Sequence, residues 1–480
     1  MNTAMHKPFM RIGMRVLLLT ATFALAGCAS FSPDSGMSAV QDYAGSPLAK
    51  DVVAIRTDEQ ELAARAGVEA LLKKRLSPDD AVQIALLNNR ELQAAYNALG
   101  IAEAVMVQAS LPPNPTFSIE RIAGAGSVEI EARAIASILS LLTLPARAQI
   151  AADRFRQAQL QAAEATLRVA TETRRAYYRA LASRVLVGFL VQSQSSAQAA
   201  SELSTSLGES GTMNKLDQAR NQVFYAELTA QLAQARQTAS TERERLTRTM
   251  GLWGADTEFK LPANLPRLPS RPGAQPDIER EAVARRLDLQ IARIDVQALA
   301  KSYGLTNATR FVSVLELAGI KKKVKAGDET ERERGFEVEL QIPIFDLGES
   351  KYRQAQESYM QAVNRLTAKA VNVRSEAREA YGTYRSAYDI ARHYQREVLP
   401  LRKIISDETM LRYGAMQIDV FALLTEARQR IASTSAAIEA ERAFWLAATN
   451  LGASVLGGGT AGGEGDAQGQ TMAAAEAGGH

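Results

Sequence analysis

The sequence has one cysteine, Cys28, so no disulfide can form within the chain and no thiol chemistry is on offer elsewhere in it. Histidine is almost as scarce. Of His6, His393 and His480, two lie in segments expected to be cleaved or disordered, which leaves little room for histidine-dependent catalysis or a multi-histidine metal site. Aromatics make up only 6% of the 480 residues and tryptophan occurs twice, too few to fill large compact cores of the usual kind. There is also no paired histidine and nucleophile, no phosphate-cradling glycine loop and no metal-ligand spacing, which argues against an enzyme. The formal charge is +3, but Lys7, Arg11 and Arg15 fall in an N-terminal segment expected to be removed. What remains is close to neutral, and no basic face for nucleic acid is implied.

Alanine, glutamine, glutamate, arginine and leucine dominate instead, an inventory that suits helices packed closely side by side. The order of those helices repeats. FRQAQ (Phe155 to Gln159) returns as YRQAQ (Tyr352 to Gln356) after 197 residues, and the same shift lays ALLNNRELQAA (Ala85 to Ala95) over AVARRLDLQIA (Ala282 to Ala292). Two matches in one register predict an internal duplication.

The N terminus points to a compartment. Basic residues up to Arg15, an apolar run from Val16 to Ala26 and then Gly27-Cys28 have the layout of a secretory signal, and the run is too short to span a bilayer. Leu25-Ala26-Gly27-Cys28 resembles a bacterial lipobox, which implies cleavage after residue 27 and a covalent diacylglycerol and N-acyl lipid at Cys28. No other cofactor is expected. Ala29 in place of aspartate favours the outer membrane by the same analogy.

Residues 28–75 read as an irregular lead-in. Ser77-Pro78-Asp79-Asp80 starts a helix expected to run to Ser110, where Pro112, Pro113 and Pro115 stop it. Two extended runs follow, Thr116 to Glu120 and Ser127 to about Leu144. Beyond Pro145 comes a helix of about 60 residues, roughly 90 Å at 1.5 Å per residue. A further helix from near Asn214 to Met250 completes a first unit, 76–260. The proline-rich segment 261–276 reads as a stiff linker. The second unit, 277–456, repeats the order: a helix from Asp277 to about Tyr303, two β-like runs, a long helix from about Leu347 with a kink expected at Pro400, and a helix from Asp419 to about Leu456. Residues 457–480 are low in complexity and expected to be disordered.

The clearest strand is FEVELQIPI. Phe336, Val338, Leu340, Ile342 and Ile344 point to one side, and Glu337, Glu339 and Gln341 to the other. An ordinary two-layer sheet gives this pattern, and so does a transmembrane β-strand with lipid outside and water inside. Two hairpins cannot close a barrel alone, so several chains would have to contribute. Between the second pair of strands, KKKVKAGDETERERG (Lys321 to Gly335) reads as a charge-dense, solvated loop.

A lipid-anchored chain with two copies of helix, β-hairpin, long helix and helix resembles the TolC-like outer-membrane efflux ducts, over about residues 76 to 456. The most specific pieces are PIFDLGESKYRQAQ, from Pro343 to Gln356, and LRYGAMQIDVFALLTEARQR, from Leu411 to Arg430. The resemblance implies a mainly α fold with a small transmembrane β part. Three protomers with four strands each would form a twelve-stranded barrel continued by a long α-helical barrel. It also implies a homotrimer in outer-membrane lipid, a periplasmic adaptor, and an inner-membrane pump whose cargo passes through passively. At the strand-to-helix junction Gly348 would free the backbone and Asp346 would cap the helix; the first copy has LTLPARAQIAA there instead.

A gate is implied at the turns Leu207 to Leu216 and Arg412 to Val420. Asp217 matches a family aspartate that joins protomers, and Tyr413 a gate tyrosine. The family's paired acids fall on Ala422 and Thr425 and its gate arginine on Ile418, while Asp419 and Glu426 could restore an acidic ring. An equally open reading makes Asp217, Asp419 and Glu426 ordinary helix-start or surface acids and Tyr413 a packing residue. For Met213 and Met416, gap-filling burial is expected over soft-metal traffic. The rival reading of the whole chain is a lipid-anchored coiled-coil adaptor or scaffold in the periplasm. Two hairpin sets and few strands favour the duct.

Overall fold

The computed structural model of the chain describes residues 31–459, apart from 125. The expected signal peptide, Cys28 and the tail beyond residue 459 lie outside them. After short helical turns between Met37 and Leu48, the elements are α1 (Asp58–Leu72), α2 (Pro78–Asn88), α3 (Arg90–Ser110), β1 (Thr116–Gly124), β2 (Ser127–Ser137), α4 (Ile138–Glu209) and α5 (Lys215–Met250). Then follow α6 (Ile278–Arg285), α7 (Leu287–Thr309), β3 (Val314–Ala326), β4 (Glu329–Gln341), α8 (Glu349–His393), α9 (Leu399–Gly414) and α10 (Val420–Leu456).

Several boundaries differ from the sequence expectation, each for a local reason. The lead-in is not irregular. Thr57 and Gln60 form a capping box that starts α1, the same device by which Ser77 and Asp80 start α2. The helix expected from Ser77 to Ser110 is two helices, because Asn89 turns extended (φ −72°, ψ 112°) and its side chain accepts the Leu92 N–H at 3.0 Å to begin α3. A matching break falls 197 residues on, at Arg286 (φ −64°, ψ 122°). The extended run expected to reach Leu144 ends at Ser137, and Pro145 sits inside α4, which has 72 residues. Around that proline the Thr143 hydroxyl donates to the Leu139 carbonyl and the Arg147 guanidinium to that of Ser140, both at 2.9 Å. At Pro400 the helix does not end. One wide turn, Tyr394–Val398, links α8 to α9, and Pro400 follows just after it.

The chain forms two interleaved units. Of the described residues, one holds 31–38, Asn97–Gln161 and Gln290–Ala368, including the whole sheet; the other holds Ala39–Tyr96, Ala162–Leu289 and 369–459. In the second unit, Leu76, Ile84, Tyr177, Leu181, Leu246 and Met250 lie in one buried cluster, and Ala282, Tyr388, Phe444 and Leu451 in another. Residues 261–276, expected as a stiff linker, pack as a strap on this unit. Leu261 and Leu265 are buried, the Trp445 indole donates to the Pro266 carbonyl at 3.2 Å and the Tyr388 hydroxyl to that of Ser270 at 2.9 Å. Backbone polar groups of a segment without a ladder of its own are thus answered by aromatic side chains.

Candidate functional site

Among the described residues no helix is long and apolar enough to cross a membrane. Exposed apolar surface is found on the sheet. Its order is β1-β2-β3-β4, all neighbours antiparallel, and neither β1 nor β4 has a second neighbour among the described residues. The stretch from Lys321 to Gly335, expected as a loop, is mostly strand. Its residues pair from Lys321↔Arg334 to Ala326↔Glu329, with only Gly327 and Asp328 turning the chain. Gly327 has φ +60°, the region where a Cβ is costly, so a two-residue turn is accessible here. The loop expectation failed because the segment has charges at nearly every position and hence no apolar alternation to read.

The register fixes two faces. On one lie Phe117 and Ile119 of β1, Ile130, Ala132 and Ala134 of β2, Leu315 and Leu317 of β3, and Phe336, Val338 and Leu340 of β4. Phe117 and Phe336 fall in the same cross-strand row and are 74% and 80% exposed. The opposite face carries Glu120, Glu129, Glu131 and Glu316, and from β4 Glu329, Glu331, Glu333, Glu337, Glu339 and Gln341. Only Lys322 and Arg133 oppose these nine acids, a net of seven negative charges, and Ile122, Ile135, Ile320 and Val324 interrupt the polar surface. Lys322 pairs with Glu129 at 2.6 Å, and Arg133 reaches from β2 over β3 to Glu337 of β4 at 3.3 Å. Two long side chains thus span the roughly 10 Å between alternate strands on the acidic face.

Ile342 and Ile344, expected to prolong the apolar row, lie beyond the end of β4. Pro343 cannot donate to a ladder, and the Ile344 N–H turns back to the Ile342 carbonyl at 2.9 Å. Both remain exposed. In the turn that follows, the Asp346 carboxylate accepts the Gly348 N–H at 3.0 Å and lies 3.4 Å from that of Ser350. Gly348 has φ +72°, and a Cβ there would stand 2.2 Å from the Arg310 carbonyl oxygen, so no larger residue fits. Arg310 completes the corner by donating to Glu349 at 3.0 Å.

The two helical turns at the far ends of α4 and α9 lie in the second unit. Asn214 caps α5 by accepting the Asp217 N–H at 2.9 Å, and the Asp217 carboxylate binds the Asn214 amide at 2.8 Å and Arg220 at 3.1 Å. Arg220 lies over the Phe421 ring of α10, 5.0 Å from its centroid. Asp419 is exposed and caps α10 by accepting the Ala422 N–H at 2.9 Å. Glu426 is not an open carboxylate: it is 8% exposed and held by Arg402 at 3.1 Å. Tyr413 and Met213 are half-buried against a cluster containing Phe224, Leu228, Val420 and Leu424. Met416, expected to be buried, is 94% exposed at φ +59°, because it forms the left-handed corner of its turn. The sequence did not single out Arg310, Arg220 or Arg402, whose partners are distant in the chain or lie on another helix face.

Neither a protein-family model nor a curated protein matches the sequence. Solved structures do resemble the fold. A structure of CusC, described in terms of folding and transmembrane channel formation, superposes with a TM-score of 0.68 at 16% identity, covering 80% of this chain and 92% of that one. This chain has the fold of outer-membrane channels. The outer-membrane channel OprN gives 0.63 at 17% identity over 90% of this chain and 97% of its own. The open state of the Neisseria gonorrhoeae MtrE outer-membrane channel gives 0.63 at 14% identity, with coverages of 79% and 88%.

Proposed function

We infer that the chain is one protomer of a trimeric exit duct of the TolC-like family. It sits in the outer membrane, acylated at Cys28, and passively conducts substrates from an inner-membrane pump and a periplasmic adaptor. The observation that carries this reading is a sheet with an exposed apolar face, an acidic face and two edges without strand partners among the described residues. In hydrocarbon each unpaired N–H or C=O costs several kcal/mol, so such edges must be joined. Copies of the same sheet join them, β4 of one protomer to β1 of the next, and three copies close twelve strands. The likeness to outer-membrane channels favours a duct over a periplasmic adaptor.

The acidic face then lines the lumen and Phe336, Val338 and Leu340 meet lipid. The 197-residue spacing supports an internal repeat, since the breaks at Asn89 and Arg286 recur on it and a hairpin follows each of them in the same order. It gives each trimer six similar sectors. The turns bearing Asp217, Tyr413 and Asp419 form the periplasmic gate; Glu426 contributes less charge there, because Arg402 offsets it.

A mass measurement tests the duct. The mature protein carrying Cys28→Ala, which removes the acyl anchor, should still require detergent and run as three chains. A monomer that stays in solution without detergent overturns the reading.

A further inference from the structure

The pleat separates charges that the sequence interleaves. Followed along β3 toward the hairpin turn, the apolar face passes from Leu315, Leu317 and Gly319 to Lys321, Lys323 and Lys325; along β4 it passes from Leu340, Val338 and Phe336 to Arg334 and Arg332. Every acid of this segment within a strand, Glu329, Glu331 and Glu333, falls on the other face. Arg121 of β1 joins the cations, in a row that runs Arg121, Ile130, Lys323, Arg332 across all four strands.

The cations also oppose one another, Lys321 against Arg334 and Lys323 against Arg332. Like charges in directly facing positions are destabilising, so such a pattern asks for an anion from outside. None of the six cations takes part in a salt bridge among the described residues, and all are exposed, whereas Lys322, one residue away on the acidic face, is paired with Glu129. The row just below the cations, toward the helices, contains Phe117 and Phe336. Aromatic residues mark the level where a membrane barrel leaves hydrocarbon, so the cations stand at the height of lipid headgroups.

We propose that this collar binds phosphate groups of anionic lipid in the outer leaflet, with Lys321, Lys323, Lys325, Arg332, Arg334 and Arg121 as its ligands. The proposal rests on the duct reading, which turns the hairpin ends to the cell exterior and the apolar face to lipid. Lipid phosphates would neutralise the facing cations and fix the barrel's depth. Each cation beside an anionic lipid surface contributes about a fivefold factor in affinity, so loss of three should weaken binding by about a hundredfold.

Native mass spectrometry of the detergent-solubilised full-length protein, titrated with diphosphoryl lipid A, reads assembly and binding together. The triple variant Lys321→Gln, Lys323→Gln, Arg334→Gln should keep the assembled mass and lose about a hundredfold in affinity. The double variant Lys321→Gln, Lys323→Gln should lose about twenty-five-fold, and Lys322→Gln, on the lumen side, should bind as the parent does. Inorganic phosphate at the same concentration should not displace the lipid. Equal binding by parent and triple variant, equal binding of dephosphorylated lipid A, or displacement by free phosphate overturns the collar. A monomeric mass for the parent protein overturns the duct itself, and the same spectrum separates that failure from a loss of lipid.

Discussion

The two halves of the chain enter their long helices from the sheet in different ways. From β2 the strand ends at Ser137 and the helix begins at Ile138, with the Ser137 hydroxyl donating to that of Ser140 at 2.9 Å. From β4 the chain needs seven more residues, Ile342 to Gly348, two of them left-handed: Leu347 (φ 49°) and Gly348 (φ 72°). A junction of this kind can therefore be built with or without a special backbone, and only the second way leaves a signature in sequence. Gly348→Ala should break that half alone. Its Cβ would stand 2.2 Å from the Arg310 carbonyl oxygen in a strained conformation, and we expect a loss of about 3 kcal/mol or more. Ser137→Ala, which removes one exchangeable hydroxyl contact, should cost about 1 kcal/mol or less. Thermal unfolding in detergent checks both; similar losses would mean that the two corners bear equal strain.

The helix breaks give a second comparison. At Asn89 a neutral amide caps the next helix and its other end reaches the Thr249 carbonyl at 3.1 Å. At Arg286, 8% exposed, a cation pairs with Asp288 at 3.0 Å and also binds Glu376. Half-buried Glu164 stands near this group. Burial and the charge of Asp288 hold its carboxyl above the usual range, against the pull of Arg168, Lys369 and Arg286. Arg286→Met leaves Asp288 with less compensation, and we expect a loss of about 3 kcal/mol at neutral pH, against about 1 kcal/mol for Asn89→Ala. The sign with pH follows. A carboxyl raised in the fold is penalised only while ionised, so the Arg286→Met deficit should shrink as pH falls through the raised value and toward the unfolded one. A deficit that is flat with pH would show that lost packing, not charge, is responsible.

Much of this was legible beforehand because it is local. Ser77-Pro78-Asp79-Asp80 gave a helix start and FEVELQ a two-faced strand, each from spacing within one element. The Gly348 turn was legible only through the family resemblance, which marks Asp346 and Gly348 as the strand-to-helix junction. The misread parts depend on what lies across from them. Lys321 to Gly335 is a loop by composition and a hairpin by pairing, and its sorting of charge exists only once the register is fixed. Residues 261–276 look like a spacer until Tyr388 and Trp445, more than a hundred residues later, supply donors to their carbonyls. Glu426 looked like an open acid because Arg402 lies on another helix.

The turns at the two helix ends invite the finest test. Asn214 and Asp419 do one mechanical job, each accepting an N–H three residues on at 2.9 Å, yet only Asp419 brings a charge. Asp419→Asn keeps an acceptor in place, and asparagine caps about as well as aspartate, so stability should change by less than about 0.5 kcal/mol. Any effect on conduction then belongs to the charge. In planar-bilayer recordings we expect a shift of the reversal potential toward lower cation preference. It should be smaller than the shift from Glu337→Gln with Glu339→Gln, because the acidic face of the sheet concentrates far more charge along the proposed path. If Asp419→Asn leaves the reversal potential where it was while Asp419→Ala lowers the unfolding temperature, the residue is a cap and the proposed gate owes it no selectivity.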